Sequence, residues 1–321
     1  MRTIVLAGGF ATRLLPITAE RPKPLLPVAG KPIIDHILDS GLLPHPIIVS
    51  TNKRFAPQFE SWRKMGNWDV ELIVEETVSE KEKLGTIGAI AFVIDRCEIH
   101  EDVLVIGGDN LFGFGIEEFV SQYDGDTLIA LHDLKDPELV KNRYGVAIVE
   151  DGAVIGFQEK PAEPRSTLAS TACYIYPRGI LPRFREFYSS SSPGKDAPGY
   201  FNEWGLTHLG WDIDVFVFES HWFDVGDRES YLAASRHYSG RDTWCGDSVA
   251  VTESHVEDSI LLGNSLITNC DLRGCVVDAD CQLTGVALRD CLVGSGTRLF
   301  GADRTPPAGT RGLHGTGGHE Q

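Results

Sequence analysis

At 321 residues, with 42% hydrophobic and 9% aromatic side chains, the chain has room for a sizeable core and, by its length, for two domains. A formal net charge of −17 argues against a nucleic-acid partner, and no apolar run approaches the roughly 18–20 residues of a membrane-spanning helix. Residues 3–7 are too short for the apolar core of a signal peptide, so the chain reads as cytoplasmic with no membrane partner.

The first predicted element is Ile4-Val5-Leu6-Ala7, an apolar run ending at Gly8-Gly9, as expected of a buried parallel strand feeding a loop. Further strands are expected over 47–49, 71–74 and 103–106, with helices between them near 33–39, 55–64 and 86–96. That alternation is the signature of a doubly wound α/β sheet, Rossmann-like in outline. Beyond residue 127 the pattern becomes mixed, with strands near 127–131, 144–150, 154–158 and 172–176. The stretch 189–200, SSSSPGKDAPGY, reads as a loop. A helix over 229–238 closes a first domain of residues 1–240. Over 246–300 aliphatics recur at close to six-residue spacing: Ile260, Leu266, Leu272, Val277, Leu283, Leu288, Val293 and Leu299. Such a period predicts about three rungs of a short left-handed parallel β-helix, whose exposed end favours a homo-oligomer. Residues 301–321 carry few core-forming side chains and read as a disordered tail. The seven cysteines are odd in number and hold no Cys-x-x-Cys pair, so they read as reduced, buried small hydrophobes.

Five basic side chains, Arg2, Arg13, Arg21, Lys23 and Lys31, face Glu20 alone in the first 31 residues. On so acidic a protein, that local excess marks a place for an anion. Gly8 and Gly9 let a phosphate or base approach the backbone, with Arg13 and Lys23 supplying charge. Asp109, after the strand of VLVIGGDNLF, stands at the carboxyl edge where ligands lodge; read alone it is a magnesium ligand or a helix cap. In SHWFDVGDRESYL, Asp227 reads as an N-cap, which leaves Asp224 as the second metal-ligand candidate. YGVAIVEDGAVIGFQEKP reads as a hairpin turning at Asp151-Gly152, with Glu159 and Lys160 at its end. Adjacent strand residues face opposite ways, so read alone this pair is a surface ion pair unless the strand bends.

Taken in order and spacing, LAGGFATRLLPITAERPKPLLPVAGKPIIDH, LGT, GGDN, YGVAIVEDGAVIGFQEKP and WFDVGD resemble the sugar-1-phosphate nucleotidyltransferases over residues 1–240. The six-residue tail resembles the C-terminal extension of many members. The resemblance implies transfer of a nucleotidyl group from an NTP to a sugar 1-phosphate, with pyrophosphate released. It further implies that Leu6, Gly8 and Gly9 hold the nucleoside triphosphate, with Thr12 and Thr86 as further contacts and Gly85 against the base. Arg13 then grips the β- and γ-phosphates and Lys23 the α-phosphate. Asp109 and Asp224 share one Mg²⁺. Gly145 and Glu159 contact the sugar, and Lys160 its phosphate. Ala172 stands where members usually carry glycine. Residues 75–83, EETVSEKEK, offer no glutamine to a thymine edge, and Pro24 replaces the glutamine of one thymidylyl subgroup. GGDN and WFDVGD lean toward glucose 1-phosphate with dTTP or UTP, while LGT also suits mannose-1-phosphate guanylyltransferases. A non-catalytic regulatory subunit of the same fold is the other alternative, though Arg13, Lys23, Asp109, Lys160 and Asp224 are all present.

Overall fold

The computed structural model describes residues 1–190 and 197–301. Residues 191–196 of the expected 189–200 loop and 302–321 of the expected disordered tail therefore lie outside the described residues. Two compact units emerge, and they interleave along the chain. One comprises Met1–Phe10, Pro22–Leu26 and Pro32–Asp224; the other comprises Ala11–Arg21, Pro27–Lys31 and the chain from Val225 onward.

The first unit is built on a nine-stranded mixed sheet. Its spatial order is Glu71–Glu75, Ile47–Asn52, Arg2–Leu6, Val103–Gly107, Leu168–Tyr176, Thr127–Asp133, Ile213–Phe218, Ala153–Gln158 and Val146–Glu150. The first four strands run parallel. They are apolar because both faces are covered: Ile4, Val5, Ile48, Val49 and Val103 to Ile106 are all buried. Leu168–Tyr176 runs antiparallel to both neighbours and converts the doubly wound pattern into a mixed one. The strand Ile213–Phe218, which the sequence reading did not anticipate, lies parallel to Thr127–Asp133. The helix Gly85–Arg96 seats Ile87, Ile90, Val93 and Ile94 in the core. Pro198–Trp204 is also helical, so the expected loop ends by Ala197; proline at the first helical position is preorganised for that start. The hairpin turn falls at Asp151-Gly152, where both residues have positive φ, 49° and 84°.

Parallel strands place their last residues on one edge. Leu6 pairs with Ser50 and Gly107, and Asn52 with Glu75, so these carboxyl ends form a shelf. Behind it, the chain turns at Gly107-Gly108. The Gly108 amide donates to the Leu6 carbonyl at 2.8 Å, and a methyl on Gly108 would meet that same oxygen at 2.8 Å. Backbone cannot step aside as a side chain does. Gly108→Ala is therefore expected to cost about 1–3 kcal/mol, read as a lowered thermal midpoint.

In the second unit the helix Arg228–Ser239 starts at Asp227, as expected. Asp227 Oδ1 accepts from the Ser230 amide at 2.9 Å, and Ser230 Oγ accepts from the Asp227 amide at 3.1 Å, closing a reciprocal cap. Beyond it, three stacks of short parallel strands follow. Their register, Ala250 to Leu266 to Gln282 to Arg298, gives sixteen residues per turn instead of the eighteen that three six-residue sides would need. Sides of five, five and six residues result because each corner is a single positive-φ residue: Ser248, Glu253, Asp258, Asn264, Asn269, Gly274, Asp280, Gly285, Asp290 and Gly296. The inward residues are accordingly Leu261, Ile267, Leu272, Val277, Leu283 and Val293. Leu266, expected to point inward, is 51% exposed, because a slip of one residue exchanges the two faces of a strand. Cys270, Cys275 and Cys281 are buried free thiols packed in this core. Among the described residues, no helix is long and apolar enough to cross a membrane.

Candidate active site

The carboxyl-edge shelf of the first unit opens into a cleft of about 370 Å³. Leu6, Gly8 and Gly9 form its floor, Gly85 and Thr86 one side, and Asp109, Glu159 and Lys160 line it as well. Eight residues scattered over more than 150 positions of sequence thus converge, seven expected from sequence to touch substrate and Asp109 to hold a metal. Gly85 and Thr86 open the twelve-residue helix Gly85–Arg96, whose unpaired amides and dipole favour an anion or a carbonyl oxygen at this end.

Lys23 reaches the cleft through Asp109: its Nζ donates to Asp109 Oδ2 at 2.6 Å, while Oδ1 accepts from Asn110 Nδ2 at 2.9 Å. Lys23 opens a one-turn 3-10 helix, with Pro22 before it and Pro24 after, so its backbone is held stiffly. Burial pushes the Asp109 carboxyl up, but the charge and hydrogen bond of Lys23 outweigh it and hold the group below the usual carboxylate range. Asp109 is thus an anion at neutral pH.

Asp224 ends the strand Trp222–Asp224, which pairs antiparallel with Asn110–Phe112; Asp224 stands opposite Asn110, the residue after Asp109. Trp222 Nε1 donates to Asn110 Oδ1 at 2.8 Å and fixes that amide. Gly145 lies against Glu159, since a methyl there would meet Glu159 Oε2 at 2.9 Å. Glu159 and Lys160 both line the cleft because the strand does bend: Lys160 has φ of 44°, which turns the chain directly after Gln158 and Glu159. The ion pair read from sequence is present as well, with 3.9 Å between Glu159 Oε1 and Lys160 Nζ, but it lies in the cleft lining, with Glu159 12% exposed. Ala172 also lines the cleft and has φ of 54°, a conformation that costs an alanine more than a glycine.

Thr12 and Arg13 belong to the second compact unit, where they form the short 3-10 helix Thr12–Leu14. The Arg13 guanidinium packs against Gly226, 3.0 Å from where a side chain would begin. Arg21, in the same loop, pairs with the buried Asp278 at 3.3 Å.

Three cleft residues with polar side chains escaped the sequence reading: Glu75, Lys83 and Tyr174. The Glu75 carboxylate is buried against Gly8, and burial pushes its pKa up, opposed by a hydrogen bond from Ser50. A signal existed, for Glu75 closes an apolar parallel strand just as Asp109 follows one. Tyr174 shares a 2.9 Å hydrogen bond with Ser170 Oγ, and burial raises its phenol.

A shelf of glycines, a lysine–aspartate pair and a second lysine–carboxylate pair narrow the choice of family, and comparison decides it. The family model for nucleotidyl transferases matches residues 2–241. The chain belongs to this family. Among its relatives is the mannose-1-phosphate guanylyltransferase of Mycobacterium tuberculosis, 27% identical over 241 residues, 72% of this chain and 63% of that protein. Another is the glucose-1-phosphate thymidylyltransferase of Streptomyces antibioticus, 29% identical over 253 residues, 74% of this chain and 65% of that protein. The chain thus spans less than two thirds of these nucleotidyl transferases' own length. A solved structure from Bacillus anthracis, assigned as a glucose-1-phosphate thymidylyltransferase, superposes with a TM-score of 0.62 at 26% identity, covering 75% of this chain and 96% of that one.

Proposed function

We propose that this chain is a sugar-1-phosphate nucleotidyltransferase: it moves a nucleotidyl group from an NTP to a sugar 1-phosphate and releases pyrophosphate. The observation that carries the reading is the convergence of Lys23–Asp109 and Glu159–Lys160 on one glycine-floored cleft. A sugar phosphate oxygen is already an anionic nucleophile, so the reaction needs no general base. Its obstacle is repulsion between two anions brought in line at the α-phosphorus. Lys23, held rigid between prolines, is placed to meet charge on the α-phosphate. Lys160 meets the sugar's phosphate, and Glu159 beside Gly145 accepts from sugar hydroxyls. Arg13 takes the β- and γ-phosphates.

Asp109 and Asp224 offer hard carboxylate oxygens at neighbouring positions of one ribbon, with no histidine or cysteine among the described lining residues. That donor set fits Mg²⁺, which supplies positive charge to phosphate oxygens when bound. A left-handed sense for the strand stacks, a cytoplasmic location and self-association belong to the same reading; exposed Leu299 and Phe300 at the end of the stacks support the last.

The two lysines are expected to fail differently. Lys23→Ala should lower kcat roughly 10²–10³-fold, as for loss of one donor to developing charge. Lys160 is 61% exposed, so its removal should leave folding intact and raise KM for the sugar phosphate about 10–100-fold with kcat within a few-fold. Steady-state kinetics with each substrate varied in turn separates the two. The reading itself is tested by pyrophosphate release with Mg²⁺, crossing five NTPs with glucose-, mannose-, galactose- and N-acetylglucosamine-1-phosphate. Release that requires both substrates and stops with EDTA supports it. Silence from folded protein across the grid overturns it in favour of a regulatory subunit.

A further inference from the structure

Glu75 carries a charge that the reaction scheme above leaves without a task. It closes the strand Glu71–Glu75 at 2% exposure and lines the cleft with Leu6, Gly8, Gly85 and Thr86. Both carboxylate oxygens lie over Gly8, 2.8 Å and 3.2 Å from where a methyl would sit, so the absence of a side chain there opens space beside the carboxylate. Among the described residues it receives one hydrogen bond, from Ser50 Oγ at 3.0 Å to Oε1, and no cation pairs with it. Lys83, in the same lining, pairs with Glu80. A buried carboxylate with a single donor is costly, and a ligand bringing two N–H groups would offset that cost.

We propose that Glu75 selects the base, its carboxylate accepting from N1–H and the 2-amino group of guanine, so that GTP is the nucleotide donor. This rests on the nucleotidyl-transfer reading above and adds the identity of the base. An ionised carboxylate only accepts hydrogen bonds. Of the common bases, guanine alone presents two adjacent donors on its pairing edge. Adenine and cytosine present one donor beside an acceptor, which would face a carboxylate oxygen. Uracil and thymine flank a single N–H with two carbonyls, so the dTTP or UTP expected from sequence would set oxygen against oxygen. A site built to pair with a donor rejects ligands lacking it far more strongly than an apolar pocket does.

The test compares GTP with ITP, which lacks only the 2-amino group, and with dTTP, UTP and ATP, in the wild-type protein and in Glu75→Gln. The expected result is kcat/KM for GTP about 10-fold or more above ITP, and roughly 10²-fold or more above the others. In Glu75→Gln, which turns one acceptor into a donor, the GTP/ITP ratio should fall toward one, while UTP or dTTP gains. Equal use of GTP and ITP by the wild type, or turnover that prefers a pyrimidine or ATP, overturns the proposal while leaving nucleotidyl transfer standing. No turnover with any NTP would instead sink the reaction on which it rests. Should Glu75→Gln fail to fold, the wild-type GTP/ITP ratio still decides.

Discussion

Asp109→Asn is expected to lower kcat by about 10³-fold while the protein remains folded. The carboxylate stands at the carboxyl edge of the sheet, 2.6 Å from Lys23 Nζ, and that contact keeps it ionised despite its surroundings. Asparagine keeps the shape and an acceptor oxygen for Lys23 but removes the negative charge on which both the lysine's placement and cation binding depend. Losing one such electrostatic contribution typically costs 10²–10³-fold; the larger figure is expected here because the proposed Mg²⁺ would share this carboxylate with Lys23. Stability should suffer less. The Asp109 side chain is 30% exposed, so water replaces part of what Lys23 loses, and about 1–2 kcal/mol is expected. Paired measurements of initial rate and thermal midpoint check this. A variant losing activity only in proportion to its unfolded fraction would remove Asp109 from the chemistry.

Truncation after Gly240 is expected to abolish turnover, not merely to change the oligomeric state. The strand stacks belong to the same compact unit as Ala11–Arg21, the loop that carries Thr12 and Arg13. Several contacts hold that loop and its continuation. Arg21 pairs with Asp278, which is 6% exposed, and Gly294 packs so closely on Pro16 that a methyl would sit 3.0 Å away. Tyr231 Oη donates to the Pro27 carbonyl at 2.7 Å, and Trp244 lies over Gly30. Without the stacks, Arg21 and Pro16 lose these partners, and Arg13 stands on a loop without its support. Loss beyond 10²-fold in kcat/KM is expected if Arg13 binds phosphate as proposed, since small misplacements of such a group carry that penalty. Asp278→Ala is the gentler probe: it leaves Arg21 without its charge partner, should cost about 1–2 kcal/mol, and should raise KM for the NTP more than it lowers kcat. Full activity in a folded truncated chain would confine the stacks to association or regulation.

Where one physical cause dominates a segment, its structure was legible from the residues. The apolar runs at 4–7, 47–49 and 103–106 became parallel strands because burial on both faces leaves little alternative, and 71–74, half-buried, became the edge strand beside them. Asp227 was readable as a cap, and Asp151-Gly152 as a turn, because each needs a specific local geometry. The stack period was misjudged because the corners, not the aliphatics, set it: single residues at positive φ, mostly asparagine, aspartate and glycine, shorten two sides of every turn to five residues. Those corner residues were visible in the sequence as a 5-5-6 rhythm. The strand Ile213–Phe218 was missed because its partner, Thr127–Asp133, lies some eighty residues away and local pattern says nothing of pairing. In the site, glycines and charged pairs announced themselves. Glu75 was harder to see, because in EETVSEKEK it is one acidic residue among four; its place at the end of an apolar strand was the signal, and the register of the sheet shows it buried.

The most direct test of nucleotidyl transfer is the fate of the phosphates. With GTP labelled at the α-phosphate, and separately at the γ-phosphate, the chain is incubated with Mg²⁺ and the sugar 1-phosphates in turn. The expected result is α-label in a nucleotide sugar and γ-label in pyrophosphate, both only when a sugar 1-phosphate is present. Release of the γ-label as inorganic phosphate, or of the α-label as a nucleoside monophosphate without any sugar phosphate, would contradict attack at the α-phosphorus and with it the function proposed for this cleft.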